Sequence, residues 1–151
     1  IFLASYHLEI NHVIITQEIP LETPCIFGSQ NHLEQVLLNL IINSIDAIIE
    51  KRKNSNAPFG EIKFSCESDA QFLYLHIQDD GLGISASVRA HLFEPFYTTS
   101  SKGTGLGLYM ARELCLNNRA TLDYEYRIDE EAQGSAKGRF VIAFTTLEAQ
   151  I

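Results

Sequence analysis

From Ser29 to Lys53 the chain carries neither glycine nor proline, and its apolar residues leave only one narrow line of polar ones. At about 100° per residue, His32, Gln35, Asn39, Asn43, Asp46 and Glu50 fall within about 40° either side of a single direction. Leu33, Val36, Leu37, Leu38, Leu40, Ile41, Ile42, Ile45, Ile48 and Ile49 cover the remaining faces. The pattern predicts one long core helix, buried except along that line. Ser29 or Asn31 can cap it, and Asn31 and Glu34 have the spacing of a capping box. A solvated stripe would normally be rich in Lys, Glu and Arg, whereas the middle of this one is two amides, Asn39 and Asn43, which are weak helix formers. Amide carbonyls suit a hard cation such as Mg²⁺ and add no negative charge beside a triphosphate. The line reads as the floor of a site.

The rest of the chain supplies strands to pack against that helix. Val13-Ile14-Ile15, closed by Pro20, and Cys25-Ile26-Phe27, ending at Gly28, read as strands. Ile62, Phe64 and Cys66 alternate with polar neighbours, and Phe72 to Ile77 reads as the hairpin partner. Ser85 to Leu92 reads as a short helix capped by Ser85. Phe93 to Gly107 loses periodicity and reads as a mobile connector. Leu106 to Leu116 recovers helical spacing, and Thr121 to Arg127 and Arg139 to Thr145 read as closing strands around the loop Asp129 to Gly138.

With 151 residues, 46% of them apolar, one domain over residues 1–151 is expected. Opening on Ile1-Phe2-Leu3 without Met, it reads as a fragment of a longer chain. A net charge of -8 disfavours nucleic acid. The apolar runs, broken by Asn39 and Asn43, are short for a membrane span, so no direct membrane contact is expected. Cys25, Cys66 and Cys115 are odd in number and scattered, so packing residues in a reducing cytosol are expected.

Two glycine clusters follow. Asp79-Asp80-Gly81-Leu82-Gly83 sets a carboxylate at a strand end before residues that a flat ring can approach closely, although the same pattern also makes ordinary turns. Gly103-Thr104-Gly105-Leu106-Gly107-Leu108 opens a helix whose free N–H groups can cradle phosphate. A P-loop is excluded, because no Gly-x-x-x-x-Gly-Lys-Ser/Thr occurs. A dinucleotide-binding module would need a strand directly before Gly103, where Pro95 and the Thr98-Thr99-Ser100-Ser101 run stand instead.

In order, these motifs resemble the catalytic ATP-binding domain of sensor histidine kinases, in the superfamily shared with gyrase, Hsp90 and MutL. Residues 32–47 resemble its N box, 79–83 its G1 box, 92–97 its F box and 103–108 its G2 box. The resemblance implies a Bergerat-type α/β (α+β) fold: a two-layer sandwich, its mixed sheet covered on one face by three helices. It implies ATP and Mg²⁺ as cofactors, with Asn43 as the metal ligand, Asn39 assisting, and Asp79 accepting the adenine amine. Gly81 and Gly83 would start an ATP lid over about residues 84–107. Thr98, Thr99, Lys102, Gly103, Thr104, Gly105, Leu106, Gly107 and Leu108 would end it around the phosphates, with Phe93 and Phe96 anchoring it. Ser44 stands where Ala is usual and Ser100 where Lys is common, and Gly138-Arg139-Phe140 lacks the usual Thr after Gly.

Hydrolytic members of that superfamily carry a Glu one helical turn before the metal-binding Asn, as a general base. Here the residue is Asn39, which cannot take a proton, so transfer to an acceptor is expected over hydrolysis. His7, His12, His32, His76 and His91 all lack the acid and proline expected after a phosphoacceptor. The resemblance therefore implies two partners: a helical dimerisation domain N-terminal to this segment, carrying the phosphorylated histidine, and a response-regulator receiver domain. It also implies a cytoplasmic location.

Overall fold

A computed structural model describes residues 8, 9, 11–99, 103–128 and 136–147. Strands β1 (Val13–Glu18), β2 (Gly60–Ser68), β3 (Phe72–Asp79), β4 (Ala120–Ile128) and β5 (Ala136–Thr145) form one sheet in the order β1-β2-β3-β5-β4. β1 runs parallel to β2 and every other pair is antiparallel, so the sheet is mixed. The helices are α1 (Gln30–Arg52), α2 (Ala86–Arg89) and α3 (Gly107–Asn117).

Strand alternation decides the layering. Ile62 and Phe64, Ile77, Leu122, and Phe140, Ile142 and Phe144 turn to one face, where Val36, Leu40, Ile45 and Ile48 of α1 and Ala111 and Cys115 of α3 bury them. Cys115 is a packing residue there, and burial pushes its thiol up to about 12. The opposite face carries ion pairs, Lys63 with Glu18 at 2.7 Å and Arg139 with Glu125 at 3.0 Å. The result is the expected two-layer α/β sandwich, although α2 is a single turn with no buried residue.

Three local expectations are corrected. Ser29 is the N-cap, its Oγ accepting from the His32 N–H at 3.5 Å, and Asn31 lies inside the helix, so no capping box forms on it. Cys25-Ile26-Phe27 is not a strand: Ile26 makes one antiparallel bridge to Thr146 before the chain turns into α1. Burial of α1 is less complete than its apolar faces imply, because the sheet takes one side and α3 another; Ile42, beside the polar line, is 39% exposed. By length and composition α1 also meets the requirement for a membrane-crossing helix, which the separate apolar runs did not, yet it packs on the sheet.

Candidate functional site

The N-terminal part of the polar line of α1, from His32 to Asn39, faces α3, and side-chain amides join the two helices at both ends of their contact. Asn39 donates from Nδ2 to the Gly107 carbonyl at 3.2 Å and accepts on Oδ1 from Gln35 at 3.2 Å. At the other end Asn118, 4% exposed, accepts from the Ser29 N–H at 2.7 Å. It also donates to the Leu114 carbonyl at 2.6 Å and meets His32 Nδ1 at 3.1 Å. The helices therefore run antiparallel, and the first turn of α3 sits over Asn39.

That first turn has no side-chain cap and no acidic residue. Its N–H groups have no partner inside the helix and carry the positive end of its dipole, so it can hold an anion. Leu106 stands at the N-cap and Leu108 is half-buried, while Gly107 is exposed with open space where a Cβ would go. Asn43, one turn beyond Asn39, is half-buried and makes no side-chain hydrogen bond among the described residues.

Asp79 ends β3 in a half-buried position, accepting from the Gly81 N–H at 2.9 Å. Burial raises its carboxyl to about 6, against the Gly81 hydrogen bond, which favours the charged form. The Ser44 hydroxyl, fully buried, lies close enough to favour that charged form too, without meeting hydrogen-bond geometry with any partner. Gly81 is required for a reason other than the approach of a ligand. A Cβ there would stand 2.5 Å from the Ala47 carbonyl carbon and 2.6 Å from the Ile48 nitrogen, and Leu82 N–H bonds Ala47 O at 3.1 Å. The glycine lets the strand end press against the α1 backbone; Gly83 is exposed in the loop beyond.

Of the two phenylalanines, Phe93 packs against the core, edge-on to Phe140 at 6.5 Å, with the Arg112 guanidinium 4.6 Å from its ring centre. The Phe96 side chain is 75% exposed and anchors nothing; its backbone does. Phe96 lies at φ 65, Gly105 at φ 73, and Phe96 N–H bonds Gly105 O at 2.9 Å, so close that a Cβ on Gly105 would overlap the Phe96 backbone. Thr98, Thr99, Gly103 and Thr104 are exposed, Thr104 Oγ1 accepting from the Leu106 N–H at 3.4 Å. Lys102 lies outside the described residues.

Set against known proteins, residues 28–148 match a family model described as histidine kinase-, DNA gyrase B-, and HSP90-like ATPase. The chain belongs to this family. ATP is accordingly the substrate of this ATPase-family domain. It is similar to the sensor protein kinase PilS of Pseudomonas aeruginosa, with 42% identity over 69% of this chain and 19% of that protein. It is similar also to the C4-dicarboxylate transport sensor protein DctB of Rhizobium meliloti, at 38% over 65% of this chain and 15% of that one. The chain thus spans about a fifth or less of these two relatives. The mycobacterial sensor histidine kinase MprB shares the fold, with a TM-score of 0.71 at 21% identity over 96% of this chain and 95% of that one. So does the catalytic domain of the histidine kinase ThkA, with a TM-score of 0.73 at 22% identity over 96% and 86%.

Sequence reading of the family motifs missed Asn118 and the buried contact of Ser44 with Asp79. Asn118 is separated from its partners Ser29 and His32 by 89 and 86 residues, so nothing local marks it. Replacing it with Ala strands the Ser29 N–H and removes one of the two ties between the helices. Urea denaturation of Asn118→Ala should show a loss of about 2–3 kcal/mol.

Proposed function

We propose that this domain is the catalytic part of a two-component sensor kinase, which binds Mg-ATP and passes the γ-phosphoryl group to a histidine on a separate helical dimerisation domain. A receiver-domain Asp then takes it onward. The observation that carries this reading is Asn39: the side chain next to the phosphate-holding helix turn is an amide, committed as donor to Gly107 O and as acceptor from Gln35. It cannot take up a proton and has none of the basicity that activates water.

The donor set fits Mg²⁺. Among the described residues no cluster of three His, Cys, Asp or Glu is present. Mg²⁺ instead favours one or two protein oxygens beside substrate phosphates, and the Asn43 amide oxygen is such a donor. Bound there, the metal would neutralise charge on the phosphates. The protein's own part is positioning. Asp79 holds the base, the α3 first turn offers N–H donors to phosphate, and Asn39 fixes that turn against α1. The sensor relatives support a cytoplasmic setting, where ATP and receiver domains are found.

Incubated with Mg-ATP alone, the domain should release phosphate slowly. Added to a histidine-bearing helical dimerisation domain, it should produce acid-labile, base-stable phosphorylation, reduced about 100-fold in Asn43→Asp and abolished by EDTA. Rapid phosphate release without any acceptor would overturn the kinase reading in favour of an ATPase.

A further inference from the structure

The base-binding end of the sheet holds a second polar group that none of the family motifs contains. In the β3–β5 register Ile77 pairs with Phe140, so Asp79 and Gly138 lie two residues further along neighbouring strands. On β4, Tyr124 pairs with Phe140 and Tyr126 with Gly138. Tyr124 packs edge-on to Phe140 at 5.1 Å and leans along the sheet over Gly138, so closely that a Cβ on Gly138 would overlap its hydroxyl. The missing side chain at Gly138 is therefore the hollow that admits the phenol. Arg139, which stands where a hydroxyl residue was expected after that glycine, turns to Glu125 instead.

The phenol ends beside the G1 loop. The backbone N–H of Ile84, the residue after Gly83, and the Asp79 charge both lie near enough to act on the hydroxyl. Burial, with Asp79 adding, holds the Tyr124 proton above its ordinary range, so at neutral pH the group is a donor. A protonated phenol has an O–H that can donate to an acceptor on a bound base.

A carboxylate acceptor beside a hydroxyl donor matches one purine edge. Adenine offers an amine donor next to a ring-nitrogen acceptor, whereas hypoxanthine and guanine offer the reverse, a carbonyl next to a ring N–H. We infer that Tyr124, seated over Gly138, is a base-specificity residue whose hydroxyl donates to the ring nitrogen adjacent to the adenine amine, directly or through one water. The inference rests on the reading of Asp79 as the acceptor of that amine. It adds a second contact point, and with it a reason for the domain to reject 6-oxopurines beyond Asp79 alone.

The test is calorimetric binding of Mg-ADP, Mg-IDP and the Mg complex of 1-deaza-ADP, which lacks the acceptor nitrogen, to the wild type, Tyr124→Phe and Asp79→Asn. Wild type should prefer ADP to its 1-deaza analogue about tenfold, and Tyr124→Phe should lose about tenfold for ADP while leaving IDP and the analogue unchanged. An equal loss for all three nucleotides in Tyr124→Phe would mean the ring merely packs, and no loss for any would mean it does not reach the base. Either result overturns the inference. Asp79→Asn separates the two levels: ADP affinity unchanged there sinks the adenine reading and the inference together. ADP affinity lowered in Asp79→Asn but intact in Tyr124→Phe sinks the inference alone.

Discussion

Asp79→Asn should make the domain more stable above pH 6 while weakening Mg-ADP binding about 100-fold. Both effects follow from the same burial. The carboxyl, raised from 3.8 to about 6, is disfavoured in its charged form by the folded protein. Its folded value lies above its unfolded one, so between about pH 4 and 6 the folded state holds the extra proton and stability falls as pH rises. Above pH 6 the full cost is present, about 3 kcal/mol as an upper figure for a shift of roughly two units. An amide has no such charge to bury, and its oxygen can still accept from Gly81. Thermal denaturation of the variant at pH 7.5 should therefore show a higher Tm, with the difference vanishing near pH 4. In the wild type, ADP affinity should decline below pH 6 as the acceptor becomes protonated, by at most tenfold per pH unit, and the variant should show no such decline. Titrations at pH 5, 6 and 7.5 check this; a pH-independent wild type would contradict it.

Gly81→Ala should be strongly disruptive for the addition of a single methyl. The added Cβ meets the Ala47 carbonyl carbon at 2.5 Å, its oxygen at 2.8 Å and the Ile48 nitrogen at 2.6 Å, all backbone of a helix whose next residue, Ile48, is buried. No side chain can swing away to make room, so β3 must lift from α1. That breaks the Leu82 to Ala47 bond and moves the Gly81 N–H away from Asp79. A loss of about 3 kcal/mol in urea denaturation is expected, with nucleotide affinity falling alongside. Gly107→Ala is the matched control, since its Cβ would meet nothing within 4 Å and the position is the first of a helix. It should keep or slightly raise stability.

The long helix was legible from residue order alone because Ser29 offers a cap and no glycine or proline interrupts the run to Lys53. Asp79 was legible as a strand-end carboxylate for a similar reason: its strand alternates and its glycines follow at once. What escaped depends on contacts across the sheet or between helices. Tyr124 looks like any strand aromatic until β4 is placed beside β5 and its ring is seen to lie over Gly138. Gly81 looked like room for a ligand, because a sequence cannot say which neighbour a missing side chain is missing for. The family resemblance implied the Phe96 ring as an anchor, yet here the backbone at φ 65 holds the segment and the ring is left outside.

The backbone pinch between Phe96 and Gly105 also limits travel. It closes a loop over residues 97–104, only eight residues long. Fully extended, eight residues span about 28 Å, so a loop with both feet tied together can carry its tip no more than about 14 Å from the pinch. While that bond holds, the backbones of Thr98, Thr99 and Thr104 are on a short leash. Whatever they touch must lie within that radius, and a strap from residue 84 to 107 would have more than twice the reach.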